Sequence, residues 1–160
     1  MSPLKVRRVV TGHDNKGRAI VTIDETTKNL KEGRPGAWVT NIWTTNTSPA
    51  DNSSDVDGGA AQVGTTMPNG TVFRIIDFQP GVAQRMHRTD SVDYLIVMSG
   101  EIDMQLDDGM EVHLKAGDVM VQRGTIHNWV NRGTQSCIIA VVLVHANSAV
   151  AGGKVLPAAG

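Results

Sequence analysis

The chain has 160 residues, with 15 Lys plus Arg against 16 Asp plus Glu and a formal net charge of -1. Without a basic surplus there is nothing to draw a phosphate backbone, which argues against nucleic acid as a partner. No apolar run approaches the roughly 20 residues of a membrane-spanning helix, and the single cysteine, Cys137, permits no intramolecular disulfide. The N-terminal "MSPLKVRRVV" lacks the apolar core of a secretory signal. The expectation is one soluble, cytoplasmic domain with no membrane partner.

Short runs rich in Val, Ile and Thr recur along the chain: "RAIVTID", "AWVTNIW", "TVFRIIDF", "VDYLIVM", "EIDMQL", "MEVHLK", "DVMVQ", "HNWV" and "SCIIAVVLV". Strand-length runs broken by turn formers, with no sustained helical period, predict an all-β sandwich or barrel with little helix. In "LDDGMEV", Asp108-Gly109 supplies the positive φ angles of a tight hairpin. Residues 1–43 are expected to add N-terminal strands, and 70–146 to form the core barrel. Residues 44–71, polar and small, read as a long loop, either a solvated insertion or a lid over a site. Residues 147–160 read as a tail.

Of the five histidines, His13, His113 and His145 have no second potential ligand at useful spacing. His113 should face solvent, because its neighbours Val112 and Leu114 take the apolar parity of the strand. His87 differs, since His87, Thr89 and Asp93 share parity and can aim into one interior. Downstream, "GDVMVQRGTIHNWVN" places His127 three residues after Gly124. Gln122 and Arg123 have opposite parity, so one of them should reach inward. Arg85 and Arg88 flank His87, and Arg88 should point outward or pair with Asp90. Trp129 shares parity with His127 and either walls a pocket or fills the core. Met98, Met104, Met110 and Met120 offer a soft lining or ordinary core, and Cys137 reads as a small core residue.

Gly81, His87, Asp93 and Gly100, followed by Gly117, Gly124, His127 and Asn131, resemble the two motifs of the cupin superfamily. The likeness is close over residues 81–131 and implies a double-stranded β-helix, or jelly-roll, barrel. Three departures accompany it: Thr89 stands where the family has a second histidine, Asp93 where it has glutamate, and "QRG" where a proline shapes the second motif. Carried over residue by residue, the resemblance implies His87, Asp93 and His127 around a divalent ion such as Fe, Zn, Mn or Ni. Two imidazoles and a carboxylate form a competent set with open positions. Gln122 or Arg123 would orient substrate, with Thr89, Arg85 and Trp129 shaping the pocket. The implied activity is Lewis-acid activation of a small carboxylate or enolisable molecule by a dehydratase, isomerase or decarboxylase. Fe(II)-dependent dioxygenation and non-catalytic binding of a small ligand are the alternatives. The resemblance also implies a homodimer paired through N-terminal strands, a role that "VRRVV" and "RAIVTI" could serve, since exposed apolar edges would otherwise invite aggregation.

Overall fold

The computed structural model describes residues 4–160, and its regular structure is almost entirely strand. The N-terminal third forms β1 (Arg7–His13), β2 (Ala19–Thr26), β3 (Lys31–Arg34) and β4 (Ala37–Thr45). The centre forms β5 (Thr71–Phe78), β6 (Ser91–Ser99), β7 (Glu101–Gln105), β8 (Glu111–Lys115) and β9 (Val119–Arg123). The remainder forms β10 (Asn128–Val130), β11 (Cys137–His145), β12 (Ala149–Ala151) and β13 (Lys154–Leu156). All nine runs read from the sequence become strands. The only helical pieces among the described residues are single 3-10 turns at Gly58–Ala60 and Asp107–Gly109. In the second of these, Asp108 and Gly109 take φ of 56° and 73°, and the hairpin between β7 and β8 closes there.

Alternation explains the architecture. In β11, Cys137, Ile139, Val141 and Leu143 are buried while the residues between them stay partly accessible. That period of two turns one face of a β-branched run into a core. β11 pairs antiparallel with both β5 and β6, at the middle of a six-stranded sheet ordered β3-β4-β5-β11-β6-β9. A three-stranded sheet, β10-β7-β8, contributes Ile102, Met104, Leu114 and Trp129 to the same apolar core. The two sheets thus enclose one interior, as a jelly-roll barrel does. Cys137 sits in it fully buried, its thiol pushed up to about 11 chiefly by burial. It is a core residue, as expected.

The segment boundaries differ from the sequence reading in three places. The main sheet begins before residue 70, because β3 and β4 are hydrogen-bonded into it, whereas β1 and β2 form a separate hairpin sheet. The 44–71 stretch gives its ends to β4 and β5, and its middle is anchored: Asp57 accepts two hydrogen bonds from Arg8, at 2.7 and 2.6 Å. The expected tail is a correction. Residues 147–160 form the β12–β13 hairpin and then return, with Arg88 and Ala159 exchanging backbone hydrogen bonds of 2.8 and 3.0 Å. Gly152 and Gly153, both at positive φ, permit that reversal.

Replacing Ile139, which has no exposed surface, by Ala should cost about 2–5 kcal/mol of unfolding free energy. Ile96→Ala on the outer face of β6 should change it by no more than about 0.5 kcal/mol. Urea denaturation of the two variants checks the assignment of inner and outer faces.

Candidate functional site

The site begins with a backbone contact. His87, ahead of β6, and His127, ahead of β10, exchange N–H···O=C hydrogen bonds of 3.0 and 2.9 Å as an isolated antiparallel bridge. Directly opposed residues project to the same side, and the imidazole centroids lie 4.2 Å apart. Each ring has its Nδ1 3.0 Å from a carbonyl, that of Arg85 for His87 and that of Thr125 for His127. A carbonyl only accepts, so Nδ1 carries the proton in both rings and each Nε2 keeps a free lone pair. Burial lowers the pKa of both, with the neighbouring His87 adding to the effect on His127, which falls to about 4. Two neutral imidazoles are the result.

Asp93 lies deeper on β6, and its carboxyl is raised from its ordinary 3.8 to about 6, chiefly by burial. A hydroxyl chain holds it. Ser91 Oγ donates to Asp93 Oδ1 at 2.6 Å, and Thr89 Oγ1 lies 2.8 Å from Ser91 Oγ. The serine has one proton and gives it to Asp93, so Thr89 must donate to Ser91. Thr89, standing where a ligand histidine was expected, is instead the buried end of a relay that orients the acid. Gln122 is the cross-strand partner of Asp93 on β9, and it too is buried.

These groups share one cavity of about 250 Å³, open at one side. Phe78 and Trp129 stack at 5.7 Å, and Trp129 meets His127 edge-on at 5.9 Å, so the tryptophan is both core and wall. Val63, Gly64 and Thr65 bring the 44–71 stretch to the rim. Arg74 on β5 is buried in the lining and donates from Nη2 to the Gly64 carbonyl at 2.5 Å. Its pKa falls to about 10 through burial, opposed by the Asp93 charge. Arg34 and Arg85 complete the polar part.

His87, Asp93, His127, Thr89, Gln122, Arg85 and Trp129 therefore all line the cavity anticipated from the sequence. Arg123 is a correction: it is exposed on the outer face, because the pleat sends Gln122 inward and its neighbour outward. The four methionines are absent from the lining, with Met104 in the core and Met98 and Met110 exposed. The three-ligand metal centre also differs from expectation. Among the described residues no group of three His, Cys, Asp or Glu side chains is arranged to hold an ion. The imidazoles offer two nitrogen donors, while the short Asp93 side chain is engaged by Ser91. A three-ligand protein cage does not fit these residues as they stand. Sequence reading missed Arg34 and Arg74. Arg74 was detectable, because it occupies the inward parity of "TVFRIIDF" with Val72 and Phe78.

The cupin domain family model matches residues 74–144, which contain all of the motif positions. The phomopsin biosynthesis cluster protein C' of Diaporthe leptostromiformis is 40% identical over 134 residues, 78% of this chain and 70% of its own. The cupin-domain-containing oxidoreductase fogC of Aspergillus ruber is 35% identical over 157 residues, 94% of this chain and 77% of its own. The chain belongs to the cupin family. Among solved structures it resembles the polyketide cyclase RemF of Streptomyces resistomycificus, with a TM-score of 0.50 at 16% identity, covering 81% of this chain and 78% of that one. KdgF from Halomonas gives a TM-score of 0.50 at 16% identity over 74% and 87% of the two chains. Both likenesses concern the fold alone.

A carboxyl that moves from 3.8 to about 6 on folding binds its proton more tightly in the native state, so ionised Asp93 carries a penalty of about 3 kcal/mol. That penalty is absent below pH ~4 and grows as the pH rises through 6. Asp93→Asn keeps an acceptor for Ser91 and should be more stable than the parent at pH 8, by up to about 3 kcal/mol. Its advantage should vanish as the pH falls toward 4. Denaturation of both proteins across this range checks it, and the histidine contributions cancel in the difference.

Proposed function

We propose that this chain is a cupin-type enzyme that moves a proton on a small, enolisable, oxygen-bearing molecule. Asp93 is the acid–base group, and the free Nε2 atoms of His87 and His127 accept hydrogen bonds from a substrate hydroxyl and so orient it. The observation that carries the reading is a carboxyl near 6 sharing one cavity with two neutral imidazoles whose Nε2 atoms are uncommitted. Proton transfer is most effective when the group titrates near the working pH. As a proton leaves carbon, negative charge builds on the adjacent oxygen, and the guanidinium groups lining the cavity stabilise it. Gln122 supplies a buried amide to orient the molecule. Isomerisation, dehydration and decarboxylation all make this electronic demand. The similarity to cupin-domain oxidoreductases and biosynthesis-cluster proteins supports a cupin-type enzyme.

A second reading retains a divalent ion on the two free Nε2 atoms. The Nδ1-to-carbonyl bonds favour it, because metal-binding histidines fix their tautomer in this way. When bound, the ion would supply Lewis acidity toward a substrate oxygen.

The test is exchange of α-protons in deuterated water, followed by NMR over a set of small enolisable carbonyl compounds. The protein should accelerate exchange, and Asp93→Asn should slow it by about 10²–10⁴-fold with an unchanged fold. Loss of exchange on chelation, restored by one added metal, supports the second reading. Binding without any exchange supports a non-catalytic ligand carrier and sinks both.

A further inference from the structure

Four cationic side chains, Lys31, Arg34, Arg74 and Arg85, line the cavity against one carboxylate, Asp93. The chain as a whole carries a net charge of -1, so this surplus is local. Two arginines elsewhere are held by carboxylates. Arg8 is held by Asp57, Glu25 and the Ile42 carbonyl, and Arg132 by Asp103 and Glu111. Arg34 differs, because its Nε and Nη2 are buried without a hydrogen-bond partner. Those two atoms are the parallel donors on the side edge of a guanidinium, a geometry that matches the two oxygens of a carboxylate. The protein uses the same edge at its surface, where Arg7 Nε and Nη2 donate to the two oxygens of Asp24 at 2.7 and 2.8 Å. That edge meets no carboxylate of the protein and is closed to solvent, although Arg34 itself lines the cavity. Arg74 adds a second buried Nε without a partner.

Arg34 is fixed where it can serve. The Pro35–Gly36 turn joins β3 to β4, and Gly36 has a φ of 79°, as the third position of a type II turn requires. Backbone bonds from Gln79 to the Gly36 carbonyl and from Ala83 to that of Pro35, 2.8 and 2.9 Å, pin this turn to the barrel rim. The guanidinium carbon lies 5.7 Å from the Phe78 ring centroid. Phe78 stacks on Trp129, and Trp129 abuts His127, so an aromatic wall connects the guanidinium to the imidazole pair.

We propose that Arg34 is the anion-recognition residue of the cavity and that the substrate is a small enolisable carboxylic acid, its carboxylate seated on the Nε–Nη2 edge. Arg85 at the mouth adds a second positive charge, and the body of the acid follows the aromatic wall toward His87 and His127. This deepens the reading above and rests on it for the chemistry, though not for the binding. Buried guanidinium donors without a partner are costly, and an entering carboxylate that turns the edge toward itself offsets that cost. An ester or amide of the same size cannot.

The test is calorimetric or NMR titration with 2-oxobutanoate and 4-oxopentanoate, each against its methyl ester. The acids should bind the parent at least about tenfold more tightly than the esters. Arg34→Gln should weaken the acids by about 10–100-fold and leave the esters unchanged, as loss of charged hydrogen bonds implies. Arg34→Lys keeps the charge without the parallel donors and should recover only part of the affinity. Thermal melting reports folding, and Arg34→Lys carries the comparison if Arg34→Gln is unstable. Equal affinity for acid and ester in the parent, or acid affinity indifferent to Arg34, overturns the proposal. Acid selectivity that depends on Arg34 without proton exchange sinks the proton-transfer reading alone. Equal exchange of acid and ester sinks the carboxylate site alone.

Discussion

The site depends on one reciprocal contact, the paired backbone hydrogen bonds between His87 and His127. These residues precede strands of different sheets, β6 in the six-stranded sheet and β10 in the three-stranded one. The bridge therefore ties the two walls together where the cavity opens. It also forces the two imidazoles onto one side at 4.2 Å, too close for both to carry charge without heavy cost. Chain closure and proton chemistry are set by the same two residues.

Burial then acts on five titratable groups of the cavity, and in each toward neutrality. It raises Asp93 and lowers His87, His127, Arg34 and Arg74. The outcome differs by residue type. An imidazole moved to about 4 is neutral at pH 7, whereas a carboxyl moved to about 6 is mostly ionised there and an arginine lowered to about 10 is still protonated. The cavity thus discards the imidazole charges and keeps the guanidinium groups and the Asp93 carboxylate. Its cationic side chains outnumber that carboxylate, and an anionic guest is the group that balances the surplus.

The barrel strands were legible because they are short runs rich in β-branched residues, and β6 and β11 add the clearest period-two burial. His87, Asp93, His127 and Gln122 were legible for the same reason, since parity and motif spacing sent them inward. Arg123 was not, because sequence left open which of two adjacent residues the pleat turns in. Thr89 could be seen as a departure, but its role in holding Asp93 through Ser91 depends on a local hydrogen-bond geometry that spacing does not encode. Residues 147–160 lack a long apolar run. They are ordered by pairing with Arg88, distant in sequence, which no local propensity reports.

The N-terminal third, which carries no motif, bears on the site through a series of polar contacts. Arg8 reaches from β1 to Asp57 and to the Ile42 carbonyl of β4, at 2.7 and 3.2 Å. Asn29 donates to the carbonyls of Asn41 and Gly59 at 2.9 and 2.7 Å, which joins the loop to the same strand. β4 is thereby held from outside by the hairpin and the loop, and from inside by β5. Its partner β3 has β4 as its only neighbour in the sheet and takes its position from it, and β3 ends in Arg34. The orientation of an arginine in the cavity is therefore a property of segments far from the motif. A cupin barrel can change the charge of its pocket by altering this appended third while leaving the motif strands untouched.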